Sequence, residues 1–580
     1  MKSLNVSDSN DFLDFNPLDE FYADPELAQT LCRNIFTEVF KADFEPYKFK
    51  GLFYTSINRY FLADIKILEH PLLAQNLIKY CKENDCLSVN FKIHKSNIEL
   101  YKFYSEVLTQ YGIKANLEYH DSTAYWVNSL TSESFPSAIK GAFKRLSTVL
   151  AQFVFLLSNS ILQRNNKISD KIVFWHSFAN NREKIDYKFI DGLEAEGITT
   201  IHPNPYIYKD ISKWNRSIYF LGKYSISPWK YLGAVWAFAR FRKNFNTVLQ
   251  QLPNYLPYYP KRWNYSTMTK TFLFMLYNLL ENAVVENIAK NREIKTVNIF
   301  RGGAAAGLIY SGICKAKYNN ENVTGILVPH GTEFNVIDHF SYFFLDYNIL
   351  PSELITQNWE NQLNTKFSEN LKYNQCKLIA GGRIDYELLN ANLGKRKATG
   401  SKIYIGIVLT YNSETYQNTY ISEIKEAFEK KFGKGQCAFI IKPRPNRVFK
   451  PGNYMDENVT VSEGDIYSFL NEIDIIAGTV STFGILTMVV TDGIYIDIPG
   501  FYYVPNPKFT KDNLGYSYHQ SMESYTFNSK QSLENYLQNY ESKDALIADL
   551  WERNISTKKY LVFKENADAF LKQLIVKSLN

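Results

Sequence analysis

Two turns in the last third of the chain combine residues that suit a phosphorylated ligand. The run FIIKPRPN (439–446) reads as an apolar strand leading into Lys442-Pro443-Arg444-Pro445. Two prolines remove amide donors and stiffen the turn. Lys442 and Arg444 then project from a strand's carboxyl end, the edge where ligands bind in open α/β sheets. Arginine offers a bidentate fork to phosphate and lysine a point charge. A rigid surface turn with solvated charges is the plain alternative. About 35 residues later, IDIIAGTVSTFGILTMVV (473–490) reads as a buried strand, a turn holding Thr479, Ser481 and Thr482, and an apolar helix. Free amides and the positive dipole end make such a helix start an anion site, although Ser481 or Thr482 could serve only as an N-cap. The order of the two runs places them on neighbouring strands, where two strand ends could grip one phosphate.

Two further runs lie upstream. In GILVPHGTEFNVIDHF (325–340), Pro329 stops a strand and His330 opens the following loop, which also holds Glu333 and Asp338. A neutral imidazole there can take the proton of an attacking hydroxyl near pH 7, and either carboxylate could orient or replace it. A purely structural histidine is the alternative. In NIFRGGAAAGLIYSG (298–312), Arg301-Gly302-Gly303 lies between a strand and an Ala/Gly-rich helix start. It has neither the GxGxxG dinucleotide fingerprint nor a Walker lysine, so neither NAD nor ATP follows. Tight helix–sheet packing explains it equally well.

Short, near-continuously apolar runs recur from Lys171 onward: KIVFWH, ITTIH, TVNIF, VTGILVP, FLDYNIL and CKLIA, then KIYIGIVL, AFIIK, IDIIAG and IYIDIPG. Strands of this kind with helices between them fit parallel sheets covered on both faces. Two successive series imply two doubly wound α/β lobes, 171–395 and 396–580, with a hinge near Gly394–Ser401. The first lobe carries an aromatic, helical insertion over 205–295. Residues 1–130 read as an accessory α/β region that begins with a polar tail, and 131–170 as a helical linker. The final amphipathic helix falls within the second lobe.

Taken in order, HGTEF, LIAGGRIDYELL (378–389), the KPRP turn and the GTVSTFG turn resemble a known group. This is the GT-B glycosyltransferases of bacterial surface polysaccharides: the CDP-glycerol glycerophosphotransferases, the CMP-Kdo capsule transferases and the bacterial sialyltransferases. The resemblance covers about 171–580 and rests on short motifs. It implies two Rossmann-like lobes and a nucleotide-sugar donor, with no separate cofactor. His330 would lie near the acceptor, and Arg383 and Asp385 would match the segment before the interlobe linker. Lys442 and Pro445 would match a Lys-x-His-Pro turn, and Ser481 and Thr482 a hydroxyl turn holding the nucleotide's phosphate. Arg444 stands where those families have histidine. It keeps the charge but cannot donate a proton at neutral pH, so donor activation would be electrostatic.

The remaining features bound this reading. A chain of 580 residues exceeds a single core, and at roughly 100–200 residues per domain it suggests about three units. Charged residues make up 21% and the net charge is +6, spread along the chain and too mild for nucleic-acid binding. Six scattered cysteines without CxxC pairs argue against a disulfide framework or zinc site and fit a cytoplasmic protein. The amino terminus lacks a signal peptide's apolar core, and no run has the about 20 apolar residues that span a bilayer. Ser147–Leu162 comes nearest and reads as a buried helix, with a membrane-surface helix as the alternative. Arg240, Arg242 and Lys243 among aromatics suggest either a solvated face or contact with an anionic, lipid-linked acceptor. The expected partners are thus a nucleotide sugar and a glycan or glycolipid acceptor at the inner face of the membrane. A nucleotide-sugar epimerase and a non-catalytic assembly scaffold are the rival functions.

Overall fold

A computed structural model describes residues 2–7, 66–120, much of 143–158, 169–176, 183–201, 226–236, 290–301, 321–328, 346–365, 376–383, 402–409, 414–443, 451–464, 466–478, 494–497, 529–561 and 566–580, with a few isolated positions. Every strand-like run expected from Lys171 onward falls on a strand.

The first unit comprises β1 (Lys2–Ser7), α1 (Lys66–Glu83), β2 (Cys86–His94), α2 (Ile98–Thr109) and β3 (Lys114–His120). Its three strands pair in parallel in the order β1-β2-β3. Helix α2 buries Leu100, Phe103, Tyr104, Val107 and Leu108, the one-sided spacing of an amphipathic helix. Phe91 stacks on Tyr104 beneath it. The other face is polar. Asn116 donates to Asn90 (2.8 Å) and Asn90 to Asn5 (2.9 Å), a ladder running across all three strands. Lys2–Ser7 is therefore a strand and not the polar tail expected: Leu4 and Val6 are buried while Asn5 joins the ladder.

The second sheet contains β4 (Lys171–His176), β5 (Thr199–Ile201), β6 (Lys295–Arg301), β7 (Val323–Val328), β8 (Tyr347–Leu350) and β9 (Lys377–Ala380). Helix α3 (Glu183–Glu194) lies between β4 and β5, and α4 (Glu353–Thr365) between β8 and β9. The strand order is β5-β4-β6-β7-β8-β9, all parallel.

The third sheet contains β10 (Ile403–Val408), β11 (Cys437–Lys442), β12 (Val459–Val461), β13 (Ile475–Gly478) and β14 (Ile494–Asp497). Its order is β12-β11-β10-β13-β14, again all parallel. Helix α5 (Glu414–Phe432) packs Tyr420, Ile421, Ile424, Ala427 and Phe428 against Ile405, Ile407, Phe439 and Ile441. Gly406 faces the opposite side, since side chains alternate along a strand. A Cβ there would lie 2.6 Å from Phe469 of α6 (Ile466–Asn471) and 2.7 Å from Ile473. Helices therefore cover both faces, and the strand order reverses direction, which defines a doubly wound sheet. The second sheet has the same reversal.

Helices α7 (Lys530–Leu537) and α8 (Lys543–Leu561) complete the third sheet's core with Leu533, Leu537, Leu546 and Leu550. The last helix, α9 (Ala567–Leu579), does not join them. Leu571, Ile575 and Leu579, spaced by four, pack with Val297, Ile299 and Ile326 of the second sheet. Lys572 of α9 pairs with Glu196 at 2.7 Å. The span expected to form one carboxyl-terminal lobe thus gives its final helix to the preceding sheet.

Candidate functional site

The carboxyl edge of the third sheet brings two of the expected turns to one level. Val408 is in register with Lys442 of β11 on one side and with Gly478 of β13 on the other. The two strands flank β10 and are not neighbours, which corrects the sequence expectation. Adjacent strands lie about 4.8 Å apart, so the two chain exits are separated by roughly 10 Å. That span can admit a phosphate between them. The strand order reverses between β10 and β13, and such a switch point leaves a crevice outside the carboxyl ends.

Lys442 is half-buried, and its ammonium donates to the carbonyl of Gly464 in the loop after β12. That loop is itself pinned by Ser462, whose amide donates to the Ile441 carbonyl (2.8 Å). The Gly464 carbonyl thus holds the head group at the sheet edge. Pro443 follows as the last described residue of this turn. Arg444, Pro445, Thr479, Ser481 and Thr482 lie outside the described residues.

On the second sheet the order reverses between β4 and β6. His176 ends β4 in register with Phe300, and Arg301 ends β6 in register with Val328. Chain positions at this carboxyl edge therefore include His176 and Arg301. The backbone of Arg301 is described. His330, Glu333, Asp338, Gly302 and Gly303 lie outside the described residues.

Arg383 is placed elsewhere. The amides of Gly381 and Gly382 both donate to the Leu350 carbonyl at the end of β8 (3.0 and 3.1 Å), and Gly382 adopts φ +75°. A Cβ at Gly381 would meet Ile349 at 2.4 Å and Phe570 of α9 at 2.7 Å, so only glycine fits. Arg383 follows this turn with 1% of its surface exposed. Strand β9 lies three strands, roughly 14 Å, from β6. The structure does not bring Arg383 to the crevice beside Arg301.

The buried thiols can be assigned more simply. Burial pushes Cys81 and Cys437 up to about 12, so neither offers a thiolate nucleophile near neutral pH. Among the described residues no helix is long and apolar enough to cross a membrane.

No family model matches the chain, and no curated protein matches it. Among solved structures it is similar to a variant of the wall teichoic acid polymerase TagF, at 10% identity over 76% of this chain and 98% of that one (TM-score 0.38). It is also similar to the S. aureus MnaA–UDP co-structure, at 10% identity over 69% and 94% (TM-score 0.37). A third is MurG of Acinetobacter baumannii, at 10% identity over 70% and 99% (TM-score 0.36). The chain's own strand orders carry the conclusion: it holds two doubly wound, parallel α/β units preceded by a small parallel α/β unit.

Proposed function

We propose that the chain is a GT-B glycosyltransferase. It moves a sugar from a CMP-, CDP- or UDP-linked donor to a glycan or lipid-linked acceptor, in the cytoplasm at the inner face of the membrane, during surface-polysaccharide synthesis. The observation that carries this reading is the common level of Lys442 and Gly478 on either side of Val408 at the β10/β13 switch point. In the sequence, Lys442 opens the cationic run KPRP and Gly478 precedes Thr479, Ser481 and Thr482.

In this reading the acceptor hydroxyl attacks the anomeric carbon of the donor sugar. Its proton passes to His330, or to Glu333 or Asp338, and the bond from that carbon to the phosphate oxygen breaks. The departing nucleotide gains negative charge, which Lys442, Arg444 and the helix start at Ser481 and Thr482 stabilise. In this reading Arg301, Gly302 and Gly303 would add backbone and guanidinium contacts to the donor. Because fixed cations and amides neutralise the leaving group, no metal is required.

The test is release of nucleotide from CMP-, CDP- and UDP-sugars with and without a membrane glycolipid acceptor. Acceptor-dependent release is expected, unchanged by EDTA and lowered about 100-fold in Lys442→Ala and in His330→Ala. Conversion of the donor sugar with no acceptor present would assign an epimerase. Unaltered function of both variants in cells would assign a scaffold. Loss of turnover in EDTA that Mn²⁺ restores would remove the metal-free mechanism.

A further inference from the structure

Charge is not evenly spread over this chain. From 134 to 169 there are five basic residues and no acidic one, and from 211 to 280 ten basic and no acidic one. The remainder therefore carries −9 against a total of +6. The sequence expectation of dispersed charge holds for the whole-chain sum and fails segment by segment.

Described residues from these two stretches meet. The Tyr231 hydroxyl donates to Gln152, both buried, and the rings of Phe153 and Trp229 lie edge to face at 6.1 Å. The helical residues between 143 and 158 turn Gln152 and Leu156 inward. Phe143, Leu146, Leu150, Val154 and Leu157 point outward, from 40% exposed at Leu157 to 71% at Phe143. At 3.6 residues per turn these five fall within an arc of about 80°. A helix in contact with water shows the opposite arrangement, with its apolar stripe toward the core. The adjoining helical stretch adds Trp229 (74% exposed) and Trp236 (64%), seven residues apart and thus on one face, with exposed Lys230 beside the first.

We infer that this surface docks on an anionic lipid bilayer, lying in the interface without crossing it. An apolar stripe bordered by tryptophan, within chain segments that hold only basic charge, has the composition of an interfacial anchor. A second copy of the chain would set like charge against like. A nucleic acid would require stacking platforms and a phosphate-tracking groove, whereas most of this stripe is aliphatic. The inference deepens the peripheral-membrane part of the proposed function, and vesicle binding tests it without any turnover.

The experiment is flotation of the full chain with vesicles of phosphatidylcholine alone and of phosphatidylcholine with phosphatidylglycerol. The chain is expected to float with the anionic vesicles and to lose binding as salt is raised. The double variant Leu150→Glu, Val154→Glu should weaken binding about tenfold or more, and Lys230→Gln about fivefold. Melting curves check that each variant is folded, and Trp229→Ala with Trp236→Ala provides a second test if the glutamates disturb folding. No flotation with anionic vesicles, equal flotation with neutral ones, or wild-type binding by the folded variants would overturn the inference. A dimer in solution that the double variant dissolves would assign the surface to a second copy instead. Vesicle binding without sugar transfer would uphold this surface while removing the transferase reading.

Discussion

The two doubly wound sheets use the same device at their amino edges and diverge at their carboxyl edges. In the second sheet Asp346 accepts the Gly325 amide on its carboxylate (2.8 Å) and returns its own amide to the Gly325 carbonyl (3.0 Å). In the third sheet Asp474 does the same with Tyr404, at 3.0 and 2.8 Å. Each aspartate stands just ahead of its strand and fixes that strand's register against the neighbouring parallel one. Asp474 also pairs with Lys543 of α8 at 3.2 Å, and that lysine donates to the Lys402 carbonyl. At the opposite edges one sheet ends in His176 and Arg301, the other in Lys442 and Gly478. The aspartates tie the edges where strands begin, and ligands of open α/β sheets bind outside the edges where strands end.

The largest expected effect tests the amino edge. Asp474→Ala leaves Lys543 without its buried partner and removes the acceptor of the Tyr404 amide. It should lower unfolding free energy by about 3 kcal/mol, read by urea unfolding. Nucleotide affinity of the folded fraction should not change, and a matching loss of affinity would break the division between edges. Lys442→Ala should do the reverse. It should reduce transfer about 100-fold, close to 2.7 kcal/mol of transition-state stabilisation, while shifting stability by no more than about 0.5 kcal/mol.

The smallest effect concerns acid. Asp456 lies 2.9 Å from Lys425 and 3.3 Å from Lys434. Burial pushes its carboxyl up, but hydrogen bonds from Lys425, the Asn458 amide and Lys434 outweigh this and hold it below the ordinary carboxylate range. A depressed folded-state pKa contributes stability that is present above the unfolded value, about 3.9, and is lost as pH falls through the folded one. Asp456→Asn should therefore cost about 1 kcal/mol at pH 7 and flatten the acid limb of stability below pH ~4. An unchanged acid limb would show that this cluster does not set the third sheet's acid sensitivity.

Much of the architecture was legible because parallel strands buried on both faces read as short unbroken apolar runs, and KIVFWH and AFIIK coincide with β4 and all but the first residue of β11. Two strands escaped. In β1 only Leu4 and Val6 alternate with polar residues, and β12 is three residues long. The partner of α9 could not be read either, since spacing by four marks an apolar stripe without naming the sheet that receives it. The site was legible as motifs and not as geometry. That Lys442 and Gly478 stand level, with β10 between them, follows from strand order and register, which no local run encodes. Arg383 looked like a motif cation, yet Gly381 and Gly382 turn the chain so that it is buried.

The most direct test is a thermal-shift panel of CMP, CDP, UDP, UMP and GDP on the wild-type chain and on Lys442→Ala. A nucleotide at about 100 times its dissociation constant stabilises the native state by about 2.7 kcal/mol. One nucleotide should raise the wild-type melting temperature, and Lys442→Ala should lose that rise while melting as the wild type does without ligand. Stabilisation that survives Lys442→Ala, or none from any nucleotide, would contradict a donor phosphate held at the β10/β13 switch point.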